Sequence, residues 1–364
     1  MNFLNVALTA WLAGNAEELD SHAGNALEVL PRLAEAGLLK IGVPASLGGD
    51  GRAVAAAVDC IAQVAEYSQT AAFVLWAQRT FVEYVLQSRS PALQDRCLAD
   101  LLEGRIAGAT GLSNAMKYLG GTESLQIVVK ENSRGWTASG NVPWATNLHP
   151  AGFLLAVAAI NTDSGRPGVY VIPFPTAGLH RNADLDLIGL RSSNTASAKL
   201  ESVAILREWL IAEDALTFLP RVRPAFLGLQ CALAIGLATR SLAEARRKSR
   251  AHTVLASDIE NLELQLRRTR AQMLEGLASG RFSREARELF AIRIELSETA
   301  TAAVQVELRA RGGVAYMTDR NEGFARRLRE AAFLPIVTPS LAQIREELAQ
   351  SSTSGNVPEP IGAI

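Results

Sequence analysis

The amino-acid sequence predicts an α+β multidomain protein. An N-terminal α-helical domain is expected over residues 1–107, a central β domain, sandwich or barrel, over 108–212, and a C-terminal four-helix bundle over 213–350. A polar tail, 351–364, is expected to be disordered. Three observations carry this. Apolar residues recur at helical spacing up to about residue 105. From about Ile106 they gather into short runs bounded by Gly, Asn and Ser. Beyond about Ala215 helical spacing returns in longer stretches.

The elements follow in order. Phe3, Leu4, Ala7, Leu8, Trp11 and Leu12 lie on one helical face. No Lys or Arg precedes them, so a secretory leader is not expected. Ala26–Leu39 reads as a helix stopped by Gly37, and Val43-Pro-Ala-Ser-Leu-Gly-Gly49 as a turn. Helices are expected from Val54 to Tyr67 and from Ala71 to Gln87. Another opens at Ser90-Pro91, since proline suits a first turn, and closes at Gly104. In the β domain, Ser124–Lys130 and Gly135–Ser139 flank one polar turn, and Phe153–Ile160 and Gly168–Pro173 flank another. Both read as hairpins, and Ala198–Leu206 as a further strand. Pro224–Arg250 is apolar on much of its surface and is expected at the centre of the bundle. Asp258 is expected to cap a helix ending near Gly276. Ser283 is expected to cap one ending at Arg311 before Gly312-Gly313, and Thr338–Gln350 reads as the fourth.

The bulk numbers bound the function. The chain has 364 residues, 48% of them hydrophobic and 20% charged, which supplies a large core. A net charge of −1 gives no reason to expect a nucleic-acid partner. Arg246-Arg247-Lys248 and Arg267-Arg268 read as solvated helix faces. No uninterrupted apolar run approaches the roughly 18–20 residues of a membrane span. Cys60, Cys97 and Cys231 have no CxxC spacing and read as buried thiols of a reducing compartment, so a cytoplasmic protein is expected. His22, His180 and His252 are dispersed without metal-ligand spacing, and no metal is expected.

One stretch stands out: Asn141-Val-Pro-Trp-Ala-Thr-Asn147, followed by the apolar run Phe153–Ala159. In extended chain, residues two apart share a face, so Trp144 and Thr146 stand side by side. The pair reads either as a strand end with a core Trp or as a wall for a flat heteroaromatic ligand. His149 nearby reads as a loop residue or as an acid/base group. Asp319 and Glu322 read as solvated.

The order of elements, with the words at their joints, resembles the acyl-CoA dehydrogenase family of flavoproteins. Those words are Leu33-Ala-Glu-Ala-Gly-Leu-Leu with Gly42-Val-Pro and Leu47-Gly-Gly49; Trp144-Ala-Thr-Asn147 with Ala151-Gly-Phe-Leu-Leu155; Leu190-Arg-Ser-Ser-Asn-Thr-Ala-Ser-Ala-Lys-Leu200; and Gly312-Gly313. The resemblance covers nearly the whole chain. It implies FAD as cofactor and a homodimer or homotetramer. It puts Gly111, Leu112 and Ser113 at the flavin pyrimidine edge, and Trp144 and Thr146 against the ring and its N5 side. It puts Gly312 and Gly313 where a neighbouring subunit approaches the pyrophosphate–adenosine part. Arg309, where the family usually has Gln, is either a phosphate partner or an ordinary helix-terminal cation.

Three departures accompany the resemblance. The family's Thr-Glu-Pro-x-x-Gly-Ser-Asp word is replaced by Ser113-Asn-Ala-Met-Lys-Tyr-Leu-Gly-Gly-Thr122. Its Arg-x-x-Phe-Gly word is replaced by Ser249-Arg-Ala-His-Thr253, where Arg250 or His252 are substitutes. The family's catalytic Glu, which takes an α-proton, falls at Thr338, and the alternative location, Arg221–Leu227, also lacks an acid. Threonine does not remove such a proton unaided. The resemblance therefore implies an FAD-dependent oxidoreductase acting on an acyl-CoA or similar small molecule without a recognisable base. The alternatives are a flavin monooxygenase or oxidase on the same fold, or a catalytically silent relative.

Overall fold

The computed structural model describes residues 1–22, 24–248 and 254–353. The expectations at Ser249–Thr253, with Arg250 and His252, and in the tail from 354 fall outside the described residues. Five helices come first: α1 (Val6–Ser21), α2 (Ala26–Glu35), α3 (Val54–Ala65), α4 (Gln69–Gln87) and α5 (Pro91–Leu102). Their starts are chemical. Asn5, Ser68 and Ser90 each accept from a backbone N–H of the first turn. Helix α4 is buried from Gln69 to Val85, so its polar groups must be satisfied inside. Gln78 does this. Its amide donates to Leu101 O (2.9 Å) and Ile106 O (3.1 Å), and its carbonyl accepts from Gly108 N (2.6 Å) and Asn147 Nδ2 (2.9 Å). One side chain thus ties the helices to the sheet beside Thr146.

The strands are β1 (Ala107–Thr110), β2 (Ile127–Asn132), β3 (Gly135–Ala145), β4 (Phe153–Asn161), β5 (Pro167–Phe174), β6 (Leu179–Asp184), β7 (Ala196–Leu206) and β8 (Leu210–Ala212), with helix α6 (Ser113–Leu119) after β1. Both expected hairpins form, β2/β3 and β4/β5. The barrel-or-sandwich expectation resolves into one sheet ordered β6-β7-β3-β2-β4-β5-β8, with β1 pairing parallel to the start of β4. The end strands β6 and β8 do not pair with each other, so the sheet is not closed. The β3/β7 register slips between Val142 and Ala145, next to Trp144. A bulge of this kind re-aims side chains.

The C-terminal helices are α7 (Ala215–Lys248), α8 (Val254–Ala278), α9 (Ala286–Arg311), α10 (Phe324–Phe333) and α11 (Leu341–Thr353). Four helix starts differ from expectation. Helix α7 begins at Ala215 instead of Pro224, because Asp214 caps it through Leu216 N (2.9 Å) and the Thr217 hydroxyl (2.5 Å). Asp258 is no cap: it lies inside α8 and pairs with Arg309 at 3.1 Å. Ser283 lies in a 3-10 turn before α9. Thr338 lies in the loop before α11, where Ser340 makes the cap through Gln343 N. Helix α10 was not among the expected four.

Helix α7 passes for a membrane span by length and composition, but 89% of its most apolar window is buried inside the protein. It packs on α3, α4 and α9. At Gly236 an added Cβ would stand 2.2 Å from Ala62 O, so the α3 and α7 backbones meet directly.

All three cysteines are buried. Burial pushes Cys60 and Cys97 up to about 12 and Cys231 up to about 11. The thiolate is the reactive form. We therefore expect no thiol to react promptly with a thiol reagent at pH 8 in the folded chain, and all three after denaturation. Prompt labelling of any one in the native state would contradict this packing.

Candidate functional site

A cavity of about 360 Å³ lies where the three segments meet. Helix α4 supplies Phe73 and Trp76. The end of β1 and the start of α6 supply Thr110, Ser113 and Lys117. The end of β3 supplies Trp144, Ala145 and Thr146, and the loop before β7 supplies Leu187 to Leu190 and Thr195. Helix α10 and the loop after it supply Arg329, Ala332, Phe333 and Ile336 to Thr338. Trp144 is 55% exposed and Thr146 is buried. The structure brings Trp144, Thr146 and Ser113 onto one cavity and sets Thr338 among them. Ser113, Lys117, Trp144 and Thr338 also border a smaller cavity of about 80 Å³, which Gly111 lines. Leu112 is fully buried in the core, and Gly111 N is spent on Ala156 O at 2.8 Å.

Several groups hold these walls in place. The Thr146 and Thr195 hydroxyls lie 3.0 Å apart, and Thr195 and Ser193 lie 2.7 Å apart. Tyr84 OH and the Thr110 hydroxyl lie 2.9 Å apart, and burial pushes the Tyr84 phenol up. Asn147, at φ 67°, donates to Gln78 and to Gly108 O (3.1 Å). The word Leu190–Thr195 forms a tight loop with left-handed backbone at Leu190 and Asn194, and Ser192 and Asn194 donate to His22 O and Ala26 O.

Thr338 is fixed from beneath. Its carbonyl accepts from Gln230 Nε2 (3.0 Å), and Gln230 Oε1 accepts from Arg293 Nε (2.9 Å). Arg293 also donates to Leu334 O (2.8 Å). This guanidinium is 1% exposed and bonds to neutral oxygens, so burial pulls its pKa down. Sequence reasoning did not find it. The one signal was an Arg set among Leu289, Phe290, Ile292 and Leu296 in the first half of α9.

Helix α6 takes the place of the missing Glu-Pro turn and was not expected. It carries Lys117 one turn after Ser113, on the same face. Lys117 pairs with Glu123 at 2.6 Å, and Asn114 donates to the other carboxylate oxygen at 3.2 Å. The Lys117 and Asn114 hydrogen bonds hold the Glu123 carboxyl below its usual range. Among the residues lining the larger cavity, the only ionisable side chains are Lys117 and Arg329, and there is no carboxylate.

The remaining candidates lie elsewhere. Gly312 and Gly313 sit in an exposed turn at the end of α9, with open space where a Cβ would stand, and they border neither cavity. Arg309 is paired with Asp258 on the surface. His149 borders neither cavity; its Nδ1 accepts from Ala151 N, and burial pulls its pKa down. Asp319 is exposed, but Glu322 is not simply solvated. It is gripped by Arg247, Arg311 and Lys248, which hold its carboxyl down to about 2, with the Lys248 bond the main cause. No cluster of three potential metal ligands occurs among the described residues.

Helices, an open sheet and a helical bundle around a junctional cavity, with an indole and hydroxyl residues on its lining, define the class as a three-segment α+β protein. The comparisons narrow the class. The family model "Acyl-CoA dehydrogenase, N-terminal domain" matches residues 8–105. The short-chain specific acyl-CoA dehydrogenase of Rattus norvegicus is 22% identical over 326 residues, covering 84% of this chain and 77% of that one. The structure of butyryl-CoA dehydrogenase from Megasphaera elsdenii superposes with a TM-score of 0.80 at 18% identity, over 97% of this chain and all of that one. Dibenzothiophene monooxygenase from Paenibacillus sp. A11-2 superposes with a TM-score of 0.75 at 17% identity, over 98% and 97%. The fold is that of the acyl-CoA dehydrogenases, and residues 8–105 match that family's N-terminal domain.

Proposed function

We propose that this chain is an FAD-dependent oxidoreductase that works without a carboxylate base, as an oxidase or monooxygenase on a substrate with an apolar body. The observation that carries the reading is the junctional cavity itself: Trp144, Thr146 and Thr338 among its lining, and no carboxylate there. The likeness to acyl-CoA dehydrogenases supports the oxidoreductase class. The monooxygenase among the structural relatives shows that this fold accommodates such proteins.

The residues fit the ring half of FAD. The cavity has a volume in the range of small-molecule sites, about 300–1,000 Å³. Trp144 and five hydroxyl residues, Thr110, Ser113, Thr146, Thr195 and Thr338, line it. The Gly312–Gly313 turn leaves room for a phosphate to reach backbone amides, and with Arg309 we assign it to the cofactor of a neighbouring subunit in a homodimer or homotetramer. Tyr316, 94% exposed beside that turn, is an apolar contact for such a neighbour. When bound, FAD supplies two-electron acceptance from substrate and, once reduced, reaction with dioxygen. The chain's own part is to clamp the ring with Trp144, donate from Thr146 and shield the site with Phe73, Trp76 and Phe333. An acyl-CoA or similar thioester is the substrate class closest to the family, and its desaturation is the alternative reaction.

Purified protein incubated with FAD and gel-filtered is expected to be yellow, with about one flavin per chain. Trp144→Ala is expected to weaken that uptake. A wild-type chain that stays colourless sinks the reading. If it is yellow, anaerobic bleaching by an acyl-CoA at turnover rates would replace the oxidase reading with dehydrogenation.

A further inference from the structure

We propose that Lys117 is a specificity-determining residue that receives a carboxylate of the substrate beside Thr338, where the two cavities meet. The inference rests on the oxidoreductase reading above and deepens it, since it gives the substrate's apolar body a negatively charged end.

Four residues line both cavities: Ser113, Lys117, Trp144 and Thr338. Ser113 and Trp144 are taken up by the flavin reading. Lys117 and Thr338 are left, and both hold unspent donors. Lys117 Nζ gives one of its three N–H groups to Glu123 at 2.6 Å, and the other two have no partner among the described residues. The Thr338 hydroxyl has none there either; only its carbonyl is bonded, to Gln230. Glu123 is the one carboxylate on either lining. Its pair with Lys117 is partly open to solvent, with side chains 35% and 25% exposed. Such a pair is weak and leaves Lys117 able to take a second anion.

The charge behind Thr338 favours an anion as well. Arg79, Arg311, Arg326 and Arg327 are buried guanidinium groups, and each pairs with a carboxylate. Arg293 is also buried, but among the described residues it has no carboxylate partner and donates to Gln230 and Leu334 O. Gln230 in turn donates to Thr338 O. An uncompensated buried cation is costly, and an anion bound at the Thr338 loop offsets part of that cost. One such charge calls for a monoanion. A phosphate is best met by an open guanidinium fork. Arg329, the one guanidinium on either lining, has spent its Nε and Nη2 on Asp20 and Glu17. A carboxylate brings one charge and two acceptor oxygens, which suits one ammonium and one hydroxyl. The two sequence departures thus meet at one place and act in one direction: the Thr338 loop lacks an acid, and α6 supplies a cation.

The test is a binding titration with hexanoate against hexanamide and benzoate against benzamide, pairs alike in shape and different in charge. Trp76 and Trp144 line the cavity, so tryptophan fluorescence reports binding with or without FAD. Each acid is expected to bind about 10–100-fold tighter than its amide, the usual difference for a hydrogen bond to a charged group. Lys117→Met is expected to remove that preference by weakening the acid and not the amide, and Lys117→Arg to keep it. Glu123→Gln frees Lys117 and is expected to tighten the acid about 2–5-fold. A merely structural pair, once broken, would leave the acid's affinity unchanged or lower. Equal affinity for acid and amide in wild type, binding of neither, or a preference that survives Lys117→Met would overturn the inference. If Lys117→Met does not fold, Glu123→Gln decides: an acid bound no tighter than by wild type overturns it. A wild type that stays colourless with FAD yet prefers the acid sinks the oxidoreductase reading and leaves the carboxylate site standing, so the two failures are read separately.

Discussion

Glu307→Ala should cost about 3–5 kcal/mol of stability, read as a lower urea midpoint, because it strands buried cations. Glu307 is wholly buried on α9. It accepts from Arg311 Nε (2.6 Å) and from Arg327 Nε and Nη2 (2.9 and 2.5 Å). Arg311 has two further carboxylates, Glu244 at 2.7 Å and Glu322 at 3.3 Å, but Arg327 has no other among the described residues. Removing Glu307 leaves the Arg327 guanidinium, itself 2% exposed, with only the carbonyl of Glu322 at 3.3 Å. The contrast is internal. Arg309→Ala, two residues further along on α9's outer face, breaks an exposed pair with Asp258 and should cost no more than about 1 kcal/mol. Equal midpoints for the two variants would show that burial does not set the cost here. The network also lies directly before Gly312, so Glu307→Ala should loosen the Gly312–Gly313 turn and with it any subunit contact made there.

Thr338→Glu should create acyl-CoA-dependent flavin bleaching under anaerobic conditions, about 10²–10⁴-fold above wild type, the usual contribution of a placed general base. Thr338 lines the same cavity as Trp144, and its loop is already pinned through Gln230 and Arg293. A carboxylate there meets mostly apolar neighbours, Phe333, Ile336 and Val337, which raise its pKa toward the operating range. Lys117 and Arg329 oppose that rise, but each already has a carboxylate partner behind it. If the variant binds FAD and an acyl-CoA yet does not bleach, the missing Glu is not what separates this chain from its desaturating relatives.

Much of this was legible in the sequence, for reasons specific to each element. The hairpins announced themselves because two apolar runs close on a polar turn, and α5 because Ser90-Pro91 marks its start. Trp144 and Thr146 border one cavity, but β3 ends at Ala145 after a register slip, so simple alternation along a strand does not account for their meeting. Helix α6 was not legible, since seven residues are too few for a periodic pattern. Asp258 and Ser283 looked like caps because only local pattern was in view, while the true starts depend on where the packed helix ends. Arg293, Gln78 and Glu307 were invisible for a common reason. Each is a polar residue whose partners lie far away in the chain, from 20 residues between Glu307 and Arg327 to 69 between Gln78 and Asn147.

The close approach of α7 to α3 at Gly236, and its burial against α4, set a timing problem during synthesis. Helices α3 and α4 leave the ribosome well before the helix that covers them. Residues 88–248 separate the end of α4 from the end of α7. At about 5–20 residues per second the uncovered faces wait roughly 10–30 s. Nascent chains ending before residue 215 should therefore be sticky and dependent on chaperones, and full-length synthesis should be the step at which the first helices become inert to aggregation.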